Sequence, residues 1–157
     1  MSHFRCVLLF TLVFCLHQFA SAAHSPAQSE EDEAIKIFLS KQKSGDEDPQ
    51  SVGSAIADLD GDGKSEIVLL WVLLGPTYSS NTLTVFSKSA AGYKAIASLP
   101  LDGIATKLSS VKLGIIVVDQ ELFAKKDPRC CPSIKKQVKY RWLDKKISEV
   151  KTPTRSR

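Results

Sequence analysis

The carboxylate chemistry of the chain is concentrated in Asp58-Leu59-Asp60-Gly61-Asp62-Gly63-Lys64-Ser65-Glu66, where four acids fall within nine residues. Acids so close repel one another unless a positive charge sits among them. A hard cation such as Ca²⁺ takes roughly six to eight oxygen ligands, and carboxylates at alternate positions converge on one only where the backbone bends sharply between them. Gly61 and Gly63 permit that bend. The expected ligands are the carboxylates of Asp58, Asp60 and Asp62, the Lys64 carbonyl, and Glu66 directly or through water. The alternative is a metal-free hairpin turn, which needs only one Asp-Gly; the density of charge favours the ion.

The second constellation is Cys130-Cys131, within Asp127-Pro128-Arg129-Cys130-Cys131-Pro132-Ser133. A trans peptide sets neighbouring Cα atoms ~3.8 Å apart, below the usual disulfide span of ~4.4 to 6.8 Å. A bond between the pair is therefore strained and easily reduced. The expectation is an oxidised pair forming a rigid turn braced by Pro128 and Pro132, with a redox switch as the alternative. Groups for other chemistry are scarce. The imidazoles are His3, His17 and His24, and the first two belong to a leader. One remaining His cannot supply a Ser-His-Asp triad, a Cys-His pair and a His-ligated zinc site with the partners each needs. No catalytic residue is assigned.

The leader is read from Arg5, the apolar run Val7 to Leu16 and the small-x-small pattern Ala20-Ser21-Ala22, which together match a cleavable export signal over residues 1–22. The run is shorter than the ~20 residues a membrane span needs. Cys15 follows the bulky Phe14, which does not suit lipidation. The expected location is periplasmic or secreted, with no transmembrane segment after cleavage.

The acidic loop fails as an EF-hand, because the eighth and twelfth positions are Ser65 and Leu69. With Ala55-Ile56-Ala57 before it and Ile67-Val68-Leu69 after it, it resembles the FG-GAP or VCBS-type repeat over residues 55–70. In that family a D-x-D-G-D-G-x-x-D/E loop joins two strands and binds calcium. The family's several repeats build a propeller, for which this chain is too short. The resemblance therefore implies the ion site and not the propeller. The Asp127 to Ser133 run, with Tyr140-Arg141-Trp142 after it, is similar to LppP/LprE-like bacterial secreted proteins. That likeness implies an envelope location, although the lipid-anchoring signal of those proteins is missing here.

The chain has 157 residues, 43% apolar and 24% charged, which fits one modest globular domain. Charge is unevenly placed. Residues 24–66 carry 4 basic and 11 acidic side chains, and residues 121–157 carry 12 basic and 4 acidic. The acidic half would repel nucleic acid. The basic end implies either a surface for an anionic partner or ion pairing with the acidic half.

The elements that must position these residues begin with an amphipathic helix over 30–43, capped by Ser29 and carrying Ile35, Phe38 and Leu39 on one stripe. A polar linker spans 44–51. Strands are expected at 53–58, 66–74, 81–88, 92–99, 112–119, 135–143 and 146–150, separated by turn residues. Residues 152–157 form a basic tail. The fold class is α+β, mainly an antiparallel sheet of about six or seven strands with one N-terminal helix. Ile67 to Leu74 is apolar throughout, so that strand must be covered on both faces, by the helix and by sheet curvature or the 100–110 loop. Gln137 to Trp142 alternates, setting Val138, Tyr140 and Trp142 against Lys139 and Arg141. Lys139 and Arg141 are the expected partner-binding residues.

These features describe an exported, monomeric, non-catalytic binding module stabilised by calcium, with an anionic envelope component or protein as partner. An inhibitor of a hydrolase is the runner-up, and a thiol-based redox protein the third reading.

Overall fold

A computed structural model describes residues 26–151. The predicted leader and the basic tail at 152–157 lie outside the described residues. One helix precedes eight strands: α1 (Pro26–Gln42), β1 (Asp48–Ala57), β2 (Glu66–Leu74), β3 (Ser79–Ser89), β4 (Gly92–Leu101), β5 (Ile104–Lys112), β6 (Ile115–Leu122), β7 (Ile134–Leu143) and β8 (Lys146–Glu149). The strands form two four-stranded antiparallel meanders, β1-β2-β3-β4 and β5-β6-β7-β8. The sheets pack face to face, with β1 against β5 and β4 against β8. Among the described residues no helix is long and apolar enough to cross a membrane.

The central strand is covered on both sides. Val68 and Leu70 of β2, with Leu83 and Val85 of β3, meet Ile116, Val118, Val138, Tyr140 and Trp142 of the second sheet. Ile67, Leu69 and Trp71 point the other way, toward Ile35 and Phe38 of α1. Phe38 meets Trp71 and Phe86 edge to face, with centroids 5.7 and 5.1 Å apart, the arrangement ring quadrupoles prefer. Helix and sheet are also tied by Lys88 Nζ to Glu30 Oε2 at 2.8 Å and by Tyr93 OH donating to Glu31 Oε1 at 3.1 Å.

The helix starts at Pro26, ahead of the expected Ser29 cap, because a proline at the first helical position has φ already set and loses no helical hydrogen bond. The 44–51 linker is shorter than expected. Asp48 to Ser51 pair with Leu74 to Trp71 at the sheet edge, which takes backbone groups and no apolar side chains. The larger correction is β5. The segment expected as a loop at 100–110 is mostly strand, and the cover on the second face of β2 is a whole sheet. Two bulges hide this strand: Ala105, Leu108 and Val111 are three apart in sequence yet oppose Gln120, Val118 and Ile116, which are two apart. Each bulge adds one residue and destroys the period-two signal. β6 accordingly begins at Ile115 and not at 112.

The two sheets are joined at Asp102-Gly103 by buried polar groups. Asn81 Nδ2 donates to the Gly103 carbonyl at 3.1 Å, Gln120 Nε2 to the Asp102 carbonyl at 3.0 Å, and Tyr140 OH to Gln120 Oε1 at 3.0 Å. Burial is the main cause that pushes the Tyr140 hydroxyl up to about 12, so it stays a donor throughout the physiological range.

Candidate functional site

The acidic loop connects β1 to β2 at one end of the sandwich, and apolar anchors on both sides hold it there. Leu59, between two aspartates, is 4% exposed and packs into the inter-sheet core. Glu66 opens β2 at 3% exposure. Gly61 and Gly63 both adopt φ of +81°, a conformation that strains other residues.

The loop folds around its own carboxylates. Asp58 accepts from the amides of Gly61 at 2.7 Å and Gly63 at 3.0 Å, Asp60 from Asp62 at 3.3 Å, and Glu66 Oε2 from Leu59 at 2.9 Å. Oxygens of Asp58, Asp60 and Glu66 come within 4.8 Å of one another. Asp62 is not in that group; it accepts from the Lys64 amide at 2.7 Å and lies 3.5 Å from Lys64 Nζ. Burial above all pushes the Glu66 carboxyl above its usual range, and the charges of Asp60, Asp62 and Asp58 add to this against the Leu59 amide. A set of convergent oxygens, one of them on a buried acid held among like charges, fits a hard divalent cation: the ion would supply the missing positive charge.

Cys130 and Cys131 lie on an exposed turn between β6 and β7, their sulfurs in contact and Cα atoms 3.8 Å apart. The turn is held from below by Asp127. Its carboxylate accepts from the Ala124 amide at 2.6 Å, the Ser133 amide at 2.8 Å and the Ser133 hydroxyl at 2.8 Å. Those bonds hold the Asp127 carboxyl below its usual range. The sequence pointed to the prolines as the brace, but the Asp127-Ser133 clasp ties both ends of the segment.

Lys139 and Arg141 project from the outer face of the second sheet, opposite Val117 and Ile115. No helix covers that face among the described residues. β5 adds Lys107 and Lys112, which sequence reasoning missed because it missed the strand. Lys135 pairs with Glu121 at 3.5 Å, whereas Lys112, Lys139 and Arg141 make no ion pair among the described residues. Lys107, opposite Asp119, also makes no ion pair among the described residues, so the unpaired cations run along the outer face from Lys107 to Lys112 and Arg141.

No protein-family model, curated protein or solved structure matches the chain.

Proposed function

We propose that this chain is an exported, non-catalytic binding module of the bacterial envelope, stabilised by calcium and presenting a basic sheet face to an anionic partner. The observation that carries the reading is the bare outer face of β5–β8, where Lys112, Lys139 and Arg141 have no acidic partner among the described residues. Unpaired cations on an uncovered sheet face attract anions through a screened field, giving fast and salt-sensitive association.

Calcium supports this role at a distance. The ligands would be Asp58, Asp60 and Glu66, with the Lys64 carbonyl and Asp62 as the remaining members of the expected set. When bound, the ion neutralises carboxylates that otherwise repel and fixes the β1–β2 connection. The single FG-GAP-like loop is read as a structural ion site. Export follows from residues 1–22, and an oxidising compartment suits a Cys130–Cys131 bond.

Retention of the mature protein's partners from envelope extract, with and without chelator and across salt from about 0.05 to 0.2 M, tests this reading. Salt-sensitive capture that weakens in chelator is expected. Capture indifferent to both overturns it. Intact mass should rise by two hydrogen atoms on reduction, with alkylation only afterwards; a non-reducing gel dominated by covalent dimer contradicts the intramolecular pair. The runner-up, an inhibitor of a hydrolase, draws on the exposed turn tips at the same end of the molecule, and inhibition of a purified lysozyme or protease would favour it.

A further inference from the structure

The β6–β7 connection sets a sulfur pair and a run of cations on one exposed segment. Cys130 and Cys131 are both exposed, with their sulfurs in contact and their Cα atoms 3.8 Å apart. Between Leu122 and Ile134 the charged side chains are Lys125, Lys126, Asp127 and Arg129. The three cations are exposed and make no ion pair among the described residues. Asp127, the one acid among them, is occupied: it accepts from the Ala124 amide, the Ser133 amide and the Ser133 hydroxyl. The segment therefore surrounds accessible sulfurs with a net positive field. Its backbone does not depend on the sulfur bond, because the Asp127 amide donates to the Ala124 carbonyl and the Cys131 amide to the Pro128 carbonyl, both at 3.0 Å.

We propose that this turn is a thiol–disulfide exchange site for a small anionic thiol, one that carries a carboxylate or sulfonate in addition to its sulfur. The proposal deepens the reading of Cys130–Cys131 as an intramolecular disulfide and rests on it. A thiolate attacks one cysteine sulfur; the S–S bond breaks as a mixed disulfide forms, and the other cysteine leaves as a thiolate. A second small thiolate then attacks the outer sulfur of the mixed disulfide and releases the remaining cysteine. Two small thiols are thereby oxidised to their disulfide, Cys130 and Cys131 are reduced to a dithiol, and the two protons pass from the small thiols to the cysteines. Lys125, Lys126 and Arg129 act at two points: they raise the local concentration of the incoming anion, and they stabilise the departing cysteine as a thiolate. Adjacent residues hold their Cα atoms closer than an ordinary disulfide does, which favours opening. The Asp127 clasp keeps the opened turn in place, so re-oxidation closes the same bond and not a bond between two chains.

The test follows reduction of the exported protein by intact mass and alkylation, comparing mercaptoethanesulfonate, 2-mercaptoethanol and cysteamine. Each rate is divided by that of the same thiol on a neutral small-molecule disulfide, which removes differences in intrinsic nucleophilicity. At low ionic strength the anionic thiol should react about tenfold faster than the cationic one. The difference should vanish at about 1 M salt, where the Debye length is ~3 Å. Lys125→Ser with Lys126→Ser and Arg129→Ser should remove the preference. Lys41→Ser with Lys94→Ser and Lys146→Ser takes the same charge from exposed sites elsewhere and should keep it. Equal normalised rates at low salt, a preference undiminished in the first variant, or one lost in the second overturns the exchange site and leaves the disulfide standing. Cysteines that alkylate fully before any reductant is added remove the disulfide reading, and the proposal with it.

Discussion

The sheet β1–β4 is sealed by the helix on one face and by β5–β8 on the other, and its central strands are apolar or uncharged at nearly every position. Among the described residues the sheet β5–β8 is covered on one face only, and its outer face mixes Lys107, Lys112, Lys139 and Arg141 with Ile115, Val117 and Asp119. Both are antiparallel four-stranded meanders of similar size. Their difference separates work within one fold: the first sheet contributes burial, and the second contributes surface that can meet a partner at no cost to the core.

That division can be broken by mutation. Leu70, fully buried between the sheets, should cost about 3 kcal/mol as Leu70→Ala, within the ~2 to 5 kcal/mol of such truncations; a urea midpoint unchanged from wild type would mean that the inter-sheet core is not what holds the fold. Calcium at ~100 times its dissociation constant, expected near 10⁻⁴ to 10⁻³ M, should add about 2.7 kcal/mol, and Asp60→Asn should lose most of that gain. A melting temperature indifferent to chelator leaves the loop a metal-free turn. Tyr140→Phe strands Gln120 Oε1 in the core and should cost ~1 to 3 kcal/mol, the contribution of the buried polar joint between the sheets.

A pH effect follows from Glu66. Its carboxyl is raised above 4.5 in the folded protein, so the native state binds the proton more tightly than the unfolded chain does. Without calcium, stability from this group is present below that value and is lost as pH rises through the native titration. Glu66→Gln should flatten that part of the profile, while calcium affinity in the wild type should rise over the same interval. Equal pH slopes in the two chelated proteins would remove Glu66 from the account. The smallest stability effect is expected on the bare face: Lys139→Ser with Arg141→Ser should change stability by under ~0.5 kcal/mol while weakening capture of an anionic probe. A large fall in melting temperature would instead show these cations to be part of the fold.

What could be read locally depended on how regular each element is. β2 announced itself by an unbroken apolar run and β7 by strict alternation, because each has one unbulged register with its neighbours for most of its length. The turn at Asp144-Lys145 was legible for the same reason. β5 was not: its inward residues are spaced by three, a pattern that only the partner strand β6 converts into a sheet. The carboxylate loop was visible as a motif, yet which of its acids converge was not, since Asp62 turns to Lys64 while Glu66 folds back to the Leu59 amide.

Local composition by itself determined the acidic loop, the adjacent cysteines, the inward and outward faces of β7 and the scarcity of imidazole, because each is a property of neighbours along the chain. Tertiary structure alone decided that a second sheet covers β2, that Lys107 and Lys112 join Lys139 and Arg141 on one face, and that Leu113 and Leu143 wall a common cleft beside the ion loop. These are contacts between residues far apart in sequence. Their cost is chain entropy and their return is shared burial, and neither is recorded in any short window of the chain.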